Sequence, residues 1–377
     1  MPNYLTLDDV EVEGLDVLVR SDLNVPIENG EIGDDFRIRA ALPTLERLVD
    51  SGAKVTVCSH LGRPDGEDPA FSLRPVAERM GELSSKEVGF ETGGQITVIE
   101  NTRFQPGEVE NDPGYAAALA AGFALFVQDA FGSVHRAHAS TVGVAELVKS
   151  VAGPLLDQEL TALSRFLEDP EIPYVVVLGG AKVSDKLGVI ENLLPRVDAM
   201  LIGGGMCFTL LKAKNVEIGG SLVEEDMVES VRALLEGPEG GKIILPSDVI
   251  VADRFAEHAE HRQVYVKDIP NGWIGLDIGK ETAMLFESVI RTAETVFWNG
   301  PMGVFEWEAF RAGTEAVARA IVGTSAFTAV GGGDSVAALR QMGIDDAVSH
   351  VSTGGGAGLE FLEGRALPGV RVLERWV

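Results

Sequence analysis

The segment PYVVVLGGAKVSDKLGVIENLL, residues 173–194, carries the clearest local code in the chain. Residues 174–178 form a short apolar run with three successive valines, the pattern of a strand buried on both faces. Gly179 and Gly180 break the run, and the spacing of Val183, Leu187, Ile190 and Leu194 then predicts an amphipathic helix. A strand, a glycine turn and a helix start together make an anion seat, because free N–H groups and the positive end of the helix dipole converge there. Lys182 and Lys186 stand at i and i+4, so both ammonium groups are expected to project from the first helical turn. The dipole disfavours cations at that end, and a phosphate chain between the two lysines is the simplest reason for them. The plainer reading is a pair of solvated lysines beside an ordinary turn. The spacing G-x-x-x-x-G-K-[ST] is missing, so the segment is not a Walker loop.

The same alternation runs through the whole chain. Strands are expected at 16–20, 53–58, 96–99 and 124–127, and helices at 36–49 (capped by Asp35), 73–83 and 115–121. Beyond the opening segment, further strands are expected at 199–202, 242–245, 264–266, 295–298, 327–330 and 348–351. Strands alternating with helices imply right-handed βαβ units, here two mostly parallel sheets flanked by helices. A chain of 377 residues is long for one core and comfortable for two domains. Residues 153–168 carry Leu156, Leu160, Leu163 and Leu167 on one helical stripe, with glycine and proline at the start and prolines after the end. That helix is read either as a linker between the domains or as an ordinary core helix. The linker reading gives an N-terminal domain over 1–154, a linker helix over 155–168 and a C-terminal domain over 169–364.

Composition narrows the function. Hydrophobic residues make up 45% of the chain, enough for large cores, and no apolar run reaches the roughly 18 residues of a membrane span. The acidic N-terminus, MPNYLTLDDVEVEG, has no signal pattern, and Cys58 and Cys207 lie far apart, so a cytoplasmic protein with two buried thiols is expected. Fifty-eight acids against thirty-one bases give a net charge of −27, which repels nucleic acid and anionic membranes. Such a surface suits concentrated salt, where self-repulsion is screened. Fold and activity are therefore expected to weaken at low salt, and equal unfolding midpoints at low and multimolar salt would remove that reading.

In so acidic a chain a cluster of cations needs a reason. The expected strand exits of the first half carry Asp22 and Asn24, His60 and Arg63, Arg103, then His135, Arg136 and His138, with Arg37 close by. Exits of parallel strands share one sheet edge, where open α/β folds bind ligands. Guanidinium forks hold phosphate and carboxylate, so the simplest ligand is a small acid with two or more anionic groups. His135 and His138 at i and i+3 suggest a metal pair, but no third ligand stands at matching spacing. The second half has glycines at its exits instead: Gly203, Gly204, Gly205; Asn299, Gly300, Pro301; Gly331, Gly332, Gly333; and Gly354, Gly355, Gly356. They would let backbone N–H groups approach a polyphosphate and a flat base. Asp334, just after three glycines, is placed to hold a magnesium ion on phosphate oxygens, and Glu306 to accept from ribose hydroxyls. Neither Gly203-x-Gly205 nor Gly331-x-Gly333 has the third glycine or alanine of a dinucleotide fingerprint, which argues against a dehydrogenase.

These blocks, in this order, resemble the phosphoglycerate kinase family: DLNVP at Asp22, SHLGRP at Ser59, ENTRF at Glu100, DAFGSVHRAHAST at Asp129, LGGAKVSDK at Leu178, GGGMCFTLL at Gly203, WNGPMGVFE at Trp298, GGGDS at Gly331 and STGGGAGLEFLEG at Ser352. The resemblance implies two Rossmann-like domains facing across a hinged cleft. It implies reversible transfer of the acyl phosphate of 1,3-bisphosphoglycerate to Mg-ADP, giving 3-phosphoglycerate and ATP. By matching position, Asp22, Asn24, Arg37, His60, Arg63, Arg103 and Arg136 would bind the phosphoglycerate. Gly180, Ala181, Lys186, Gly203, Gly204, Gly205, Asn299, Pro301, Glu306 and Gly331 to Gly333 would surround the nucleotide, with Asp334 and Ser335 at magnesium and phosphate. Arg37 and Lys182 would stabilise the moving phosphoryl group, assisted by the N–H groups of Gly332 and Gly355. The resemblance also places the tail, from about 365 to 377, back on the first domain, and a monomer is expected. Ser21 and Leu23 depart from the usual valine and phenylalanine, and Val134 is a further mild change; none removes a polar ligand. No general base is needed, because the attacking group is already an anion. An acetate-type kinase or a non-catalytic binder of phosphometabolites would share the phosphate logic without these ordered motifs.

Overall fold

The computed structural model describes residues 3–28 and 30–377. The chain divides into two compact units, residues 1–161 with 366–377, and residues 162–365. The division falls inside the helix Pro154–Ser164.

Unit 1 is built on a sheet of seven strands: β1 (Asp16–Arg20), β4 (Lys54–Cys58), β5 (Val88–Phe90), β6 (Thr92–Gly94), β7 (Ile96–Val98), β8 (Leu125–Gln128) and β9 (Ser150–Ala152). The remaining strands of this unit, β2 (Ile27–Glu28) and β3 (Glu31–Ile32), make a small hairpin. The order across the large sheet is β6-β5-β7-β4-β1-β8-β9, with every pair parallel except β5 with β6. β1 lies between β4 and β8, and Val17, Leu18 and Val19 are fully buried. Burying such a side chain contributes about 1.5–3 kcal/mol, so the valine-rich centre holds the sheet edge that carries the polar residues. β5, β6 and β9 are three residues each and lie outside the strands expected from the sequence. Asp35 does not cap the helix Phe36–Asp50 through its side chain: Asp34 Oδ1 accepts from Phe36 N at 2.8 Å. The Asp35 carboxylate is held by Arg39 and Arg79 instead, both at 2.7 Å. The tail packs within this unit, with Gly369 N donating to Val134 O at 2.9 Å and Trp376 Nε1 to Ala145 O at 2.9 Å.

Unit 2 has a fully parallel sheet of β10 (Tyr174–Leu178), β11 (Ala199–Ile202), β12 (Ile243–Ile244), β16 (Thr295–Asn299), β17 (Phe327–Gly331) and β18 (His350–Val351), in the order β12-β11-β10-β16-β17-β18. All five residues of β10 are buried, as its valine run requires. One expectation is corrected. The strand near 264–266 is β14 (His261–Tyr265), and it pairs with β13 (Asp248–Ala252) in a separate antiparallel sheet completed by β15 (Ile274–Ile278). β14 is an edge strand with most residues exposed, so it lacks the apolar run of a parallel central strand. No helix is long and apolar enough to cross a membrane among the described residues.

Candidate functional site

In unit 1 the cations do converge. His60 sits at the exit of β4, almost buried, and its pKa lies well below the ordinary 6.5. Burial is the first cause, and the charges of Arg20, Arg103, Arg136 and Arg37 add to it. Arg103 is pushed down to about 10 by burial and then by Arg136, Arg20 and Arg63, with only Glu108 opposing. Positive charges that depress one another are under-compensated, and a bound anion relieves them. Arg63, Arg103, Arg136 and His138 line one cavity of about 390 Å³.

Around it the polar groups are aimed rather than neutralised. Asp22 is 7% exposed, and neither carboxylate oxygen has a hydrogen-bond partner among the described residues; Arg37 Nη1 stands 3.5 Å from Oδ1. Arg37 is fixed by donating to Asn24 O at 2.9 Å, and Asn24 Oδ1 accepts from Gly62 N at 2.8 Å. Arg103 donates to Gly62 O, while its buried Nε stays unpaired. The structure thus brings together all seven residues expected to hold a small anionic acid. It also adds three that the sequence did not mark: Arg20, Ser140 and Glu108, fully buried beneath them. For Arg20 and Glu108 the only trace in the sequence is charge where an apolar run or a turn should be neutral, and Ser140 leaves none.

His138 is held down to about 4, by burial first and then by Arg103, Arg136, Arg20 and His135; Glu108 Oε1, at 3.7 Å, does not offset them. The unfolded chain takes up this proton near pH 6.5 and the folded one only near 4, so the unfolded state binds more protons between those values. Folding stability is therefore expected to fall as pH drops from 6.5 towards 4. His138→Gln should flatten that limb in urea unfolding midpoints measured against pH; an unchanged slope would contradict the sign.

Unit 2 corrects the reading of the two lysines. The helix begins only at Leu187, as Leu187–Leu193, so Lys182 and Lys186 lie in the turn before it and do not share a helical face. Lys186 is buried, with its amine donating to Gly179 O and Asn299 O. Burial brings its pKa down to about 8, against the opposing charges of Asp334 and Asp185. Lys182 is exposed. Val183, between the two lysines, is fully buried.

The glycine clusters fall into two kinds. Gly179, Gly180, Gly203 and Gly204 donate their N–H groups to Asn299, Pro301, Leu178 and Met302 carbonyls at 2.9–3.0 Å, so these amides are not free for phosphate. A Cβ at Gly204 would lie 2.5 Å from Gly180 N, and one at Gly179 2.1 Å from Pro301 O. These glycines knit three strand-exit loops together. Gly333 differs: it opens the helix Gly333–Gln341, and a Cβ there would meet no atom within 4 Å. Gly355 is also in open space, with φ +49°, and Gly332 has φ +89°. The first amides of that helix have no acceptor within it. Ser335 is fully buried, and its hydroxyl accepts from Gly300 N at 2.6 Å. Asp334 and Glu306 are exposed, and Asn299 and Pro301 are buried beside the knitted loops. No group of three His, Cys, Asp or Glu side chains forms a metal cage among the described residues.

Comparison with known proteins agrees with this geometry. The phosphoglycerate kinase family model matches residues 7–365. A phosphoglycerate kinase of Rubrobacter xylanophilus is 54% identical over 97% of this chain and 97% of its own length. One of Salinispora arenicola is 55% identical over 99% of this chain and 100% of its own. Among solved structures, phosphoglycerate kinase from Coxiella burnetii superposes with a TM-score of 0.90 at 41% identity, covering 99% of each chain. That from Pyrococcus horikoshii gives 0.86 at 32% identity, covering 98% of each. With this similarity along almost the full length, the chain belongs to the phosphoglycerate kinase family and transfers a phosphoryl group between a glycerate phosphate and ADP or ATP.

Proposed function

We propose that unit 1 binds 3-phosphoglycerate or 1,3-bisphosphoglycerate through Arg63, Arg103, Arg136 and His60, with Asp22 and Asn24 orienting the acid and Arg37 reaching the transferring group. The supporting observation is the under-compensated charge around His60 and Arg103, in a chain whose net charge is −27. The Asp22 carboxylate, which accepts no hydrogen bond among the described residues, fits a ligand hydroxyl as its missing donor. Unit 2 binds ADP or ATP at the open helix start around Gly332, Gly333 and Asp334, together with Gly355. Glu306 and Lys186 complete that seat.

Magnesium fits the donor set at Asp334. A lone exposed carboxylate beside phosphate oxygens is how this ion binds, keeping several waters. When bound it neutralises phosphate charge. The protein's own share is alignment and further neutralisation. Arg37 and Lys182 supply cations where negative charge spreads over the three equatorial oxygens in transit. Buried free thiols at Cys58 and Cys207 are in keeping with a reducing cytoplasm, and the residues assigned to each ligand all come from one chain, in keeping with a monomer.

Titration calorimetry tests the assignment. Arg103→Ala is expected to weaken 3-phosphoglycerate binding about ten- to a hundredfold, the value of a charged hydrogen-bonding group, while ADP affinity stays unchanged. Normal 3-phosphoglycerate binding in that variant would overturn the assignment.

A further inference from the structure

We propose that Arg20 is a positioning residue for the phosphoglycerate site, locking the His60 imidazole in the tautomer that carries its proton on Nε2. Arg20 Nη2 lies 2.8 Å from His60 Nδ1. A guanidinium has five N–H donors and no lone pair, so this contact requires Nδ1 to be the acceptor. The ring is then either neutral with Nε2–H or out of the contact altogether. Imidazolium would put a second donor against Arg20 and a further charge among Arg37, Arg103 and Arg136; burial and those charges hold the ring neutral. With Nδ1 taken by Arg20, the Nε2–H is the ring group left to meet an anion. The opposite tautomer would offer that anion a lone pair.

Arg20 is built to hold this contact. It ends β1 in the middle of the sheet and is fully buried. Ser140 Oγ accepts from its Nε at 2.9 Å, Ser59 Oγ from Nη1 at 3.3 Å, and Ser133 Oγ from Nη2 at 3.4 Å, with Ser21 O taking another donor. Ser140 is itself pinned by the buried Glu108, whose carboxylate accepts from the Ser140 hydroxyl at 2.6 Å and from its N–H at 3.0 Å. The chain Glu108–Ser140–Arg20–His60 thus runs from a buried counter-charge to the ligand-facing ring. Cooperative chains of this kind hold orientation as well as energy.

The inference rests on His60 being a phosphoglycerate ligand, and the experiment separates the two claims. Long-range ¹⁵N–¹H spectra of the ligand-free, full-length protein at neutral pH report the tautomer directly, with His60 assigned by its absence in His60→Ala. A protonated Nε2 and a bare Nδ1 are expected; an Nδ1–H tautomer or an imidazolium overturns the proposal without any Arg20 variant having to fold. In Arg20→Met, KM for 3-phosphoglycerate is expected to rise about ten- to a hundredfold, with kcat and the nucleotide KM within about twofold. In a His60→Ala background the same change should add less than about threefold. A full independent loss there would mean that Arg20 acts through its own charge, which also overturns the proposal. Normal 3-phosphoglycerate affinity in His60→Ala would instead remove His60 as a ligand and leave the tautomer standing.

Discussion

Replacing Lys182 or Arg37 by alanine is expected to lower kcat by about two to three orders of magnitude, with the nucleotide KM changed much less. The argument is one of charge. In-line phosphoryl transfer gives the protein little covalent work, so its contribution is to align two anions and offset the charge that spreads over the moving group. Removing one such preorganised donor typically costs about 3–4 kcal/mol in the transition state, which is that loss in rate. Neither side chain has the surroundings of a ground-state anchor. Lys182 is exposed in a turn, and the buried Lys186 is already held by two carbonyls. Arg37 is only steered, by Asn24 O and by Asp22 at 3.5 Å. Steady-state kinetics with both substrates varied make the check, and near-normal kcat in either variant would refute its role.

Much of this was readable before any coordinates. The valine run of β10 and the alternation of strands with helices specify parallel sheets, because only strands buried on both faces tolerate continuous apolar runs. The cation cluster was readable from charge alone, since Arg63, Arg103 and Arg136 stand out in so acidic a chain. What stayed hidden depends on contacts between distant segments. Lys182 and Lys186 have helical spacing, but the helix starts only at Leu187. β14 and its partners pair antiparallel through registers that no local period encodes. Glu108 and Ser140 look like loop residues in sequence, and only the fold places them under Arg20.

The glycines show the same divide, and they carry the second large prediction. Sequence alone treats Gly204 and Gly333 alike, each within a triple glycine at a strand exit. Their surroundings differ completely. Gly204 has φ +65°, and a methyl group there would press on Gly180 N at 2.5 Å, Gly180 O at 2.7 Å and Pro301 O at 2.8 Å. All three are backbone atoms and cannot turn aside, so Gly204→Ala must force apart the loops after β10, β11 and β16. Overpacking of this kind costs about 1–3 kcal/mol, and the left-handed backbone adds about 1–2 more. Gly204→Ala is therefore expected to lower the unfolding midpoint markedly and to weaken nucleotide binding as a consequence. Gly333 has no positive φ and no neighbour within 4 Å, so the fold has no use for a glycine there. Alanine at that helix start should leave stability unchanged or slightly raised, since it is the better helix former. If polyphosphate approaches the first amides of Gly333–Gln341, however, the added methyl stands in its path, and ADP affinity should fall about tenfold or more. Thermal unfolding and ADP calorimetry on the two variants separate a glycine kept for packing from one kept for a ligand. Full ADP affinity in Gly333→Ala would move the phosphates away from that helix.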